Sequence, residues 1–277
     1  MKYLIISIIL FSQVTNVQKK EKILFVGNSF TFYWNLPSQV EKMALEQNLP
    51  WDVYQSTSGG ASLRDHWQGN KELKTKELLS EITFDRVIFQ DHSTYPIKHI
   101  DTTEYYFSKL RSLISEHTKI YLYSTWAYPK FPVDEVVVNN SKGIESNLRA
   151  VSRKYSNVEI IPVGRAFDLF SSKYPEIKLL TDDEKHPSHN GTYLAACVFY
   201  ASLSGSSSKG LDRRYEGKDS NGKKNFPQYC RKTGSFKVSR NSKRNCVSKM
   251  IIKKLKPGLY RKILCVIINC SFTTHFN

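Results

Sequence analysis

The sequence predicts an α/β protein, a three-layer α/β/α sandwich around a mostly parallel sheet. Two observations predict it. Short apolar runs alternate with stretches of helical periodicity, the pattern of strands joined by crossover helices and covered on both faces. Three clusters of residues that carry chemistry fall directly after the first three runs, at the carboxyl edge where open α/β sheets place their sites. At 277 residues the chain is long enough to bury a core, and no internal repeat is visible.

Taken in order, Ile23–Gly27 reads as a buried strand. Leu36–Gln47 reads as a helix with Val40, Met43 and Ala44 on one face. Trp51–Gln55 is a second strand and Leu73–Ile82 a helix. Arg86–Gln90 is a third strand, followed by a helix over Thr102–His117 that sets Tyr106, Leu110, Leu113 and Ile114 along one side. Lys119–Ser124 is a fourth strand, Val136–Tyr155 a long helix, Val158–Val163 a fifth strand and Thr192–Leu203 a closing helix, with Cys197 inside it.

The net charge of +16 invites a nucleic-acid or membrane reading, but the charge is not evenly spread. Residues 220–277 hold 14 of the 41 Lys and Arg and none of the 25 acids, which leaves residues 1–219 at +2. Cys230, Cys246, Cys265 and Cys270 also lie in this tail, without the spacing of a zinc site. Residues 206–277 therefore read as an atypical basic tail, and the abrupt change after about residue 225 leads us to expect a shifted reading frame there. A basic arm for nucleic acid is the competing reading. It has no ordered domain or stacking platform beside it, so nucleic acid is not an expected partner.

Met1-Lys2, the apolar run Tyr3–Phe11 and a small polar exit through Gln18 form the pattern of a secretory signal peptide over residues 1–17. A buried first strand is the alternative for that run, and both it and Ile263–Cys270 are too short to span a bilayer. The expected location is secreted, periplasmic or envelope-associated.

Four clusters carry chemistry. Gly27-Asn28-Ser29 follows the first strand, where a tight strand-to-helix turn can present a hydroxyl at the sheet edge. Gly59-Gly60 follows the second, where glycine lets an N–H face a ligand. Gln90-Asp91-His92 ends the third, with Gln90 and His92 as neutral donors for an oxyanion. Asp182-Asp183-Glu184-Lys185-His186-Pro187 precedes the closing helix and offers two carboxylates that could orient one imidazole. Trp67, Tyr95, Trp126 and Tyr128 read as core residues with a sugar-stacking alternative. His66, His99, His117 and His189 lack metal-ligand spacing and read as surface or capping residues.

Taken together, these clusters resemble the SGNH/GDSL hydrolase superfamily over roughly residues 21–205. Gly27-Asn28-Ser29 is similar to its first block, with Asn in place of the usual Asp. Gly60, or else Gly59, resembles the second-block glycine, and Asp183-Glu184-Lys185-His186 resembles the final Asp-x-x-His block. The third block departs from the usual Gly-x-Asn-Asp and is closer to a bacterial secreted esterase-like subgroup that carries Gln. The resemblance implies a flavodoxin-like fold and cofactor-free, metal-free ester hydrolysis. Ser29 would be the nucleophile, His186 the general base and Asp183 its orienting carboxylate, with Asp182 as rival. Ser29, Gly60 and Gln90 would form the oxyanion hole. The implied substrate is a small-molecule or carbohydrate carboxylic ester, with acetyl as the acyl group. An acyltransferase on the same fold and a non-catalytic carbohydrate-binding protein are the alternatives.

Overall fold

A computed structural model describes residues 19–129 and 141–211, with the backbone of a short antiparallel pair, β6 (Gly217–Lys218) and β7 (Lys224–Asn225). The expected signal peptide, residues 130–140 with the first five positions of the expected Val136–Tyr155 helix, the tail cysteines and most of the atypical tail lie outside the described residues.

Strands β1 (Glu21–Gly27), β2 (Trp51–Thr57), β3 (Arg86–Phe89), β4 (Lys119–Ser124) and β5 (Val158–Pro162) form one sheet in the order β2-β1-β3-β4-β5. Every neighbouring pair is parallel. This is the flavodoxin-like order, and its switch point lies between β1 and β3. The pleat divides the core in two. Ile23 and Phe25 of β1 face one side with Ile88, Tyr123 and Ile161, whereas Leu24 and Val26 face the other with Val87, Phe89 and Leu122.

Each face is sealed by amphipathic helices. On the first face lie α1 (Ser29–Phe32), α2 (Leu36–Glu46), α8 (Val163–Lys173) and α9 (His189–Ser204), with Phe30, Val40, Met43, Phe167, Phe170 and Phe199 buried. The second face carries α3 (Leu63–Gln68), α4 (Thr75–Glu81), α6 (Ile100–Arg111) and α7 (Lys142–Ser152); the one-turn α5 (Tyr95–Lys98) precedes α6. Helix α6 stops at Arg111, short of the expected His117. Its buried stripe is Thr103, Phe107 and Leu110, so Leu113 falls beyond it and is 40% exposed. Helix α8 was not anticipated because it begins at Val163 without a loop, and that residue reads equally well as the end of β5. Helix α9 is apolar almost all round, as a helix enclosed by neighbours must be. Ser188 caps its start by accepting from the Gly191 N–H, and Gly205 (φ 72) ends it. Among the described residues no helix is long and apolar enough to cross a membrane.

Two buried contacts hold the sheet edge where the sequence motifs converge. Gly191 packs so closely on the turn before α9 that a Cβ there would lie 2.1 Å from the Leu179 carbonyl oxygen. His66, expected at the surface, is fully buried. Its Nδ1 meets Thr75 Oγ1 at 2.6 Å and its Nε2 meets the Gly27 carbonyl at 3.1 Å, which ties α3 and α4 to the end of β1. Burial opposes its charged form and lowers its pKa from 6.5 to about 4.

Gly191→Ala is expected to cost about 1–3 kcal/mol of unfolding free energy, because rigid backbone must move. Gly59→Ala, with nothing within 4 Å of the added methyl, should be near neutral; chemical denaturation of both variants checks this. His66 makes stability depend on pH. Above about pH 6.5 it is neutral folded or unfolded, and its contribution is complete. Between there and about pH 4 the unfolded chain takes up a proton that the folded chain does not, so stability falls by up to about 1.4 kcal/mol per pH unit. His92 and His189 shift in the same direction and buried Asp91 and Asp168 in the opposite one. The His66 share is therefore read as the difference between wild type and His66→Gln, denatured at about pH 7 and about pH 4.5. Equal losses in the two proteins would remove His66 as the linked group.

Candidate active site

The strand-to-helix turn after β1 is built around Asn28. Its Oδ1 accepts from the Phe30 N–H and caps α1, while its Nδ2 donates to the carbonyls of Ala61 (2.8 Å) and Asp91 (3.3 Å). Its own N–H donates to Gln90 Oε1 at 2.9 Å, and Thr31 Oγ1 donates to the same oxygen at 3.0 Å. Gly27 must lack a side chain here, since a Cβ would lie 2.4 Å from Thr31 Oγ1 and 2.7 Å from Gln90 Oε1. This network brings the ends of β1, β2 and β3 together and leaves Ser29 at the first position of α1.

Ser29 Oγ lies 2.9 Å from His186 Nε2, although 157 residues separate them. On the other side of the ring, His186 Nδ1 lies 2.6 Å from Asp183 Oδ2. The contact is with Asp183 and not with Asp182. Asp183 Oδ1 accepts from Thr181 Oγ1 (2.7 Å) and from the backbone N–H groups of Lys185 and His186 (2.9 Å each). Partial burial alone would raise the Asp183 pKa, but the hydrogen bonds from the His186 ring, Thr181 and the two backbone groups outweigh it and hold the carboxyl well below its ordinary range. An ionised carboxylate only accepts, so Nδ1 is the donor of that contact, and in a neutral imidazole Nε2 is then the acceptor that faces the serine hydroxyl.

Aromatic residues fix this turn in place. Tyr33 stacks on the His186 ring at a centroid separation of 4.4 Å and 11° between planes, and Phe30 meets it edge-on at 5.6 Å. Trp34 Nε1 donates to the Pro187 carbonyl (2.8 Å) and Trp126 Nε1 to that of Lys185 (3.0 Å). Trp34 (φ 53) and Asn35 (φ 55) both lie in the left-handed region, each at a cost of roughly 1–3 kcal/mol, and the packing around the turn holds them there. The sequence reading missed Tyr33 and Trp34. Their signal was the dense aromatic run Phe30-Thr31-Phe32-Tyr33-Trp34 directly after the serine.

The remaining expected residues are distributed as follows. Gly60 (φ 61) sits in the loop after β2, and among the described residues neither its N–H nor that of Ser29 meets an acceptor. Gln90 was expected to donate to an oxyanion. It is buried, with its oxygen accepting from Asn28 and Thr31 and one N–H of its amide directed at the Asp91 carbonyl. Buried Asp91 accepts from the N–H groups of Leu63 (2.8 Å) and His92 (2.7 Å) and from Thr103 Oγ1 (2.6 Å). His92 is half-buried and its ring meets Thr94 Oγ1 at 3.1 Å. Trp126 stacks between Phe30 and Phe167 at 4.6 and 4.2 Å, fully inside the core, and Tyr128 is also buried.

No family model matches the sequence, and no curated protein matches it either. Solved structures do. A candidate SGNH hydrolase from Slackia heliotrinireducens is 22% identical, with 67% of this chain and 100% of that one covered at a TM-score of 0.56. A DUF4886 family protein from Bacteroides uniformis is 17% identical over 73% of this chain and 90% of that one, with a TM-score of 0.57. A candidate GDSL-like lipase from Parabacteroides merdae is 16% identical over 69% and 98%, with a TM-score of 0.50. The parallel five-stranded sheet, its order and these likenesses agree: the chain has the SGNH/GDSL hydrolase fold.

Proposed function

We propose that this protein is a serine ester hydrolase, with Ser29 as nucleophile, His186 as general base and Asp183 as the carboxylate that orients it. The observation that carries this reading is the relay from Ser29 Oγ through His186 to Asp183, with separations of 2.9 and 2.6 Å. As Ser29 Oγ bonds to the acyl carbon, its proton passes to His186 Nε2 and the carbonyl electrons move onto oxygen. The unpaired N–H groups of Ser29 and Gly60 receive that oxyanion. When the carbonyl re-forms, the bond to the alcohol breaks and His186 returns the proton to the leaving oxygen. Water then repeats the sequence, which releases the acid and restores Ser29.

In this scheme Gln90 acts from behind the turn, by holding the Asn28 N–H, and touches no substrate. Acetyl as the acyl group, carbohydrate as the alcohol and secretion as the destination belong to the same proposal. They rest on the likeness of the motifs to secreted esterases and on the signal-peptide pattern of residues 1–17, with its apolar run Tyr3–Phe11.

Hydrolysis of p-nitrophenyl acetate by protein lacking residues 1–17 tests the reading. Ser29→Ala is expected to lower kcat by at least about 10⁴-fold, and Asp183→Asn by about 10³–10⁴-fold through loss of the productive tautomer. Wild-type turnover that survives Ser29→Ala would remove the serine mechanism. A folded wild type that acylates an added alcohol but does not release acetate to water would be a transferase.

A further inference from the structure

Lys71 lies outside every motif that the sequence reading singled out, yet it reaches the peptide on which the oxyanion site depends. Its Nζ donates to the Gly59 carbonyl at 3.0 Å and lies 3.9 Å from Asp65 Oδ2. Asp65 is itself held by the Ser62 capping box at the start of α3, so the ammonium has a fixed anchor. The short 3₁₀ turn Asn70–Glu72 that delivers Lys71 is strained, with Lys71 (φ 57) and Glu72 (φ 59) both in the left-handed region. Such backbone persists only where the surroundings enforce it.

The Gly59 carbonyl and the Gly60 N–H are two ends of one trans peptide, so they point in opposite directions. A cation on the carbonyl draws electron density toward oxygen and makes the N–H at the far end a stronger donor. It also fixes the rotation of a Gly-Gly link that has no side chains of its own to restrain it. We propose that Lys71 is a positioning residue of the reaction: it orients and polarises the Gly59–Gly60 peptide so that the Gly60 N–H receives the oxyanion. This rests on the serine-hydrolase reading above. Lys71 does not touch substrate in this scheme. Its effect appears as negative charge develops on the acyl oxygen, and hence in kcat.

The test uses the full chain with p-nitrophenyl acetate, an uncharged substrate that a lysine does not attract by charge. Lys71→Met keeps the stem and removes the ammonium. It is expected to lower kcat about tenfold with KM within about twofold, and to weaken a phenylboronic acid, which mimics the tetrahedral adduct at Ser29, by a similar factor. Lys71→Arg should restore most of both. Unchanged kcat and boronate affinity in Lys71→Met would overturn the proposal. So would a rise in KM alone, which would make Lys71 a binding group. A loss of kcat that disappears well below a lowered Tm would reduce Lys71 to a structural role and overturn it as well. Ser29→Ala, run in parallel, separates the two layers. Hydrolysis that does not depend on Ser29 overturns the serine reading together with this inference, whereas Ser29-dependent hydrolysis indifferent to Lys71 overturns this inference alone.

Discussion

The carboxyl edge of the sheet depends on one side-chain amide, that of Asn28. It accepts from one backbone N–H and donates to two carbonyls, in loops that follow three different strands. A carboxylate of the same shape could accept but could not donate, and it would face the Ala61 and Asp91 carbonyls with its charge unmet. Gln90 completes the arrangement by accepting the Asn28 N–H. The chain departs from the common motif at both positions, and the two departures touch each other.

Charge around this edge is held by hydrogen bonds more than by ion pairs. Asp91 is buried and its raised pKa reflects that burial, against three donors that favour the charged form. Asp183 is the opposite case, a half-exposed carboxylate held low by its donors. Asp91 ties its own loop to the start of α3 and to α6, whereas Asp183 faces one imidazole.

Much of this was legible in the sequence. All five strands were, because Ile, Val, Leu and Phe runs bounded by polar turns leave little else for the chain to do. The resemblance grouped residues 29, 183 and 186, and the structure brings Ser29 Oγ, the His186 ring and Asp183 into a chain of contacts of 2.9 and 2.6 Å. What was not legible depended on contacts between distant segments. Nothing local to Gln90 shows that its oxygen accepts from Asn28 and Thr31 and that its nitrogen faces the Asp91 carbonyl. His66 looked like a surface residue because nothing local to it shows the Gly27 carbonyl and Thr75 closing around it. Leu113 fitted a helical stripe that the chain leaves after Arg111. Periodicity reports which face a residue takes within an element; it does not report where the element stops or what arrives from elsewhere in the chain.

The distance along the chain between Ser29 and His186 has a consequence for synthesis. The turn bearing Asp183 and His186 leaves the ribosome 157 residues after the serine turn, just before α9. That turn is set by its contact with Gly191 at the start of α9 and by the indoles of Trp34 and Trp126 from segments made earlier. The nascent chain therefore holds Ser29 without its His186 contact for at least those 157 residues, and that contact waits on the docking of α9.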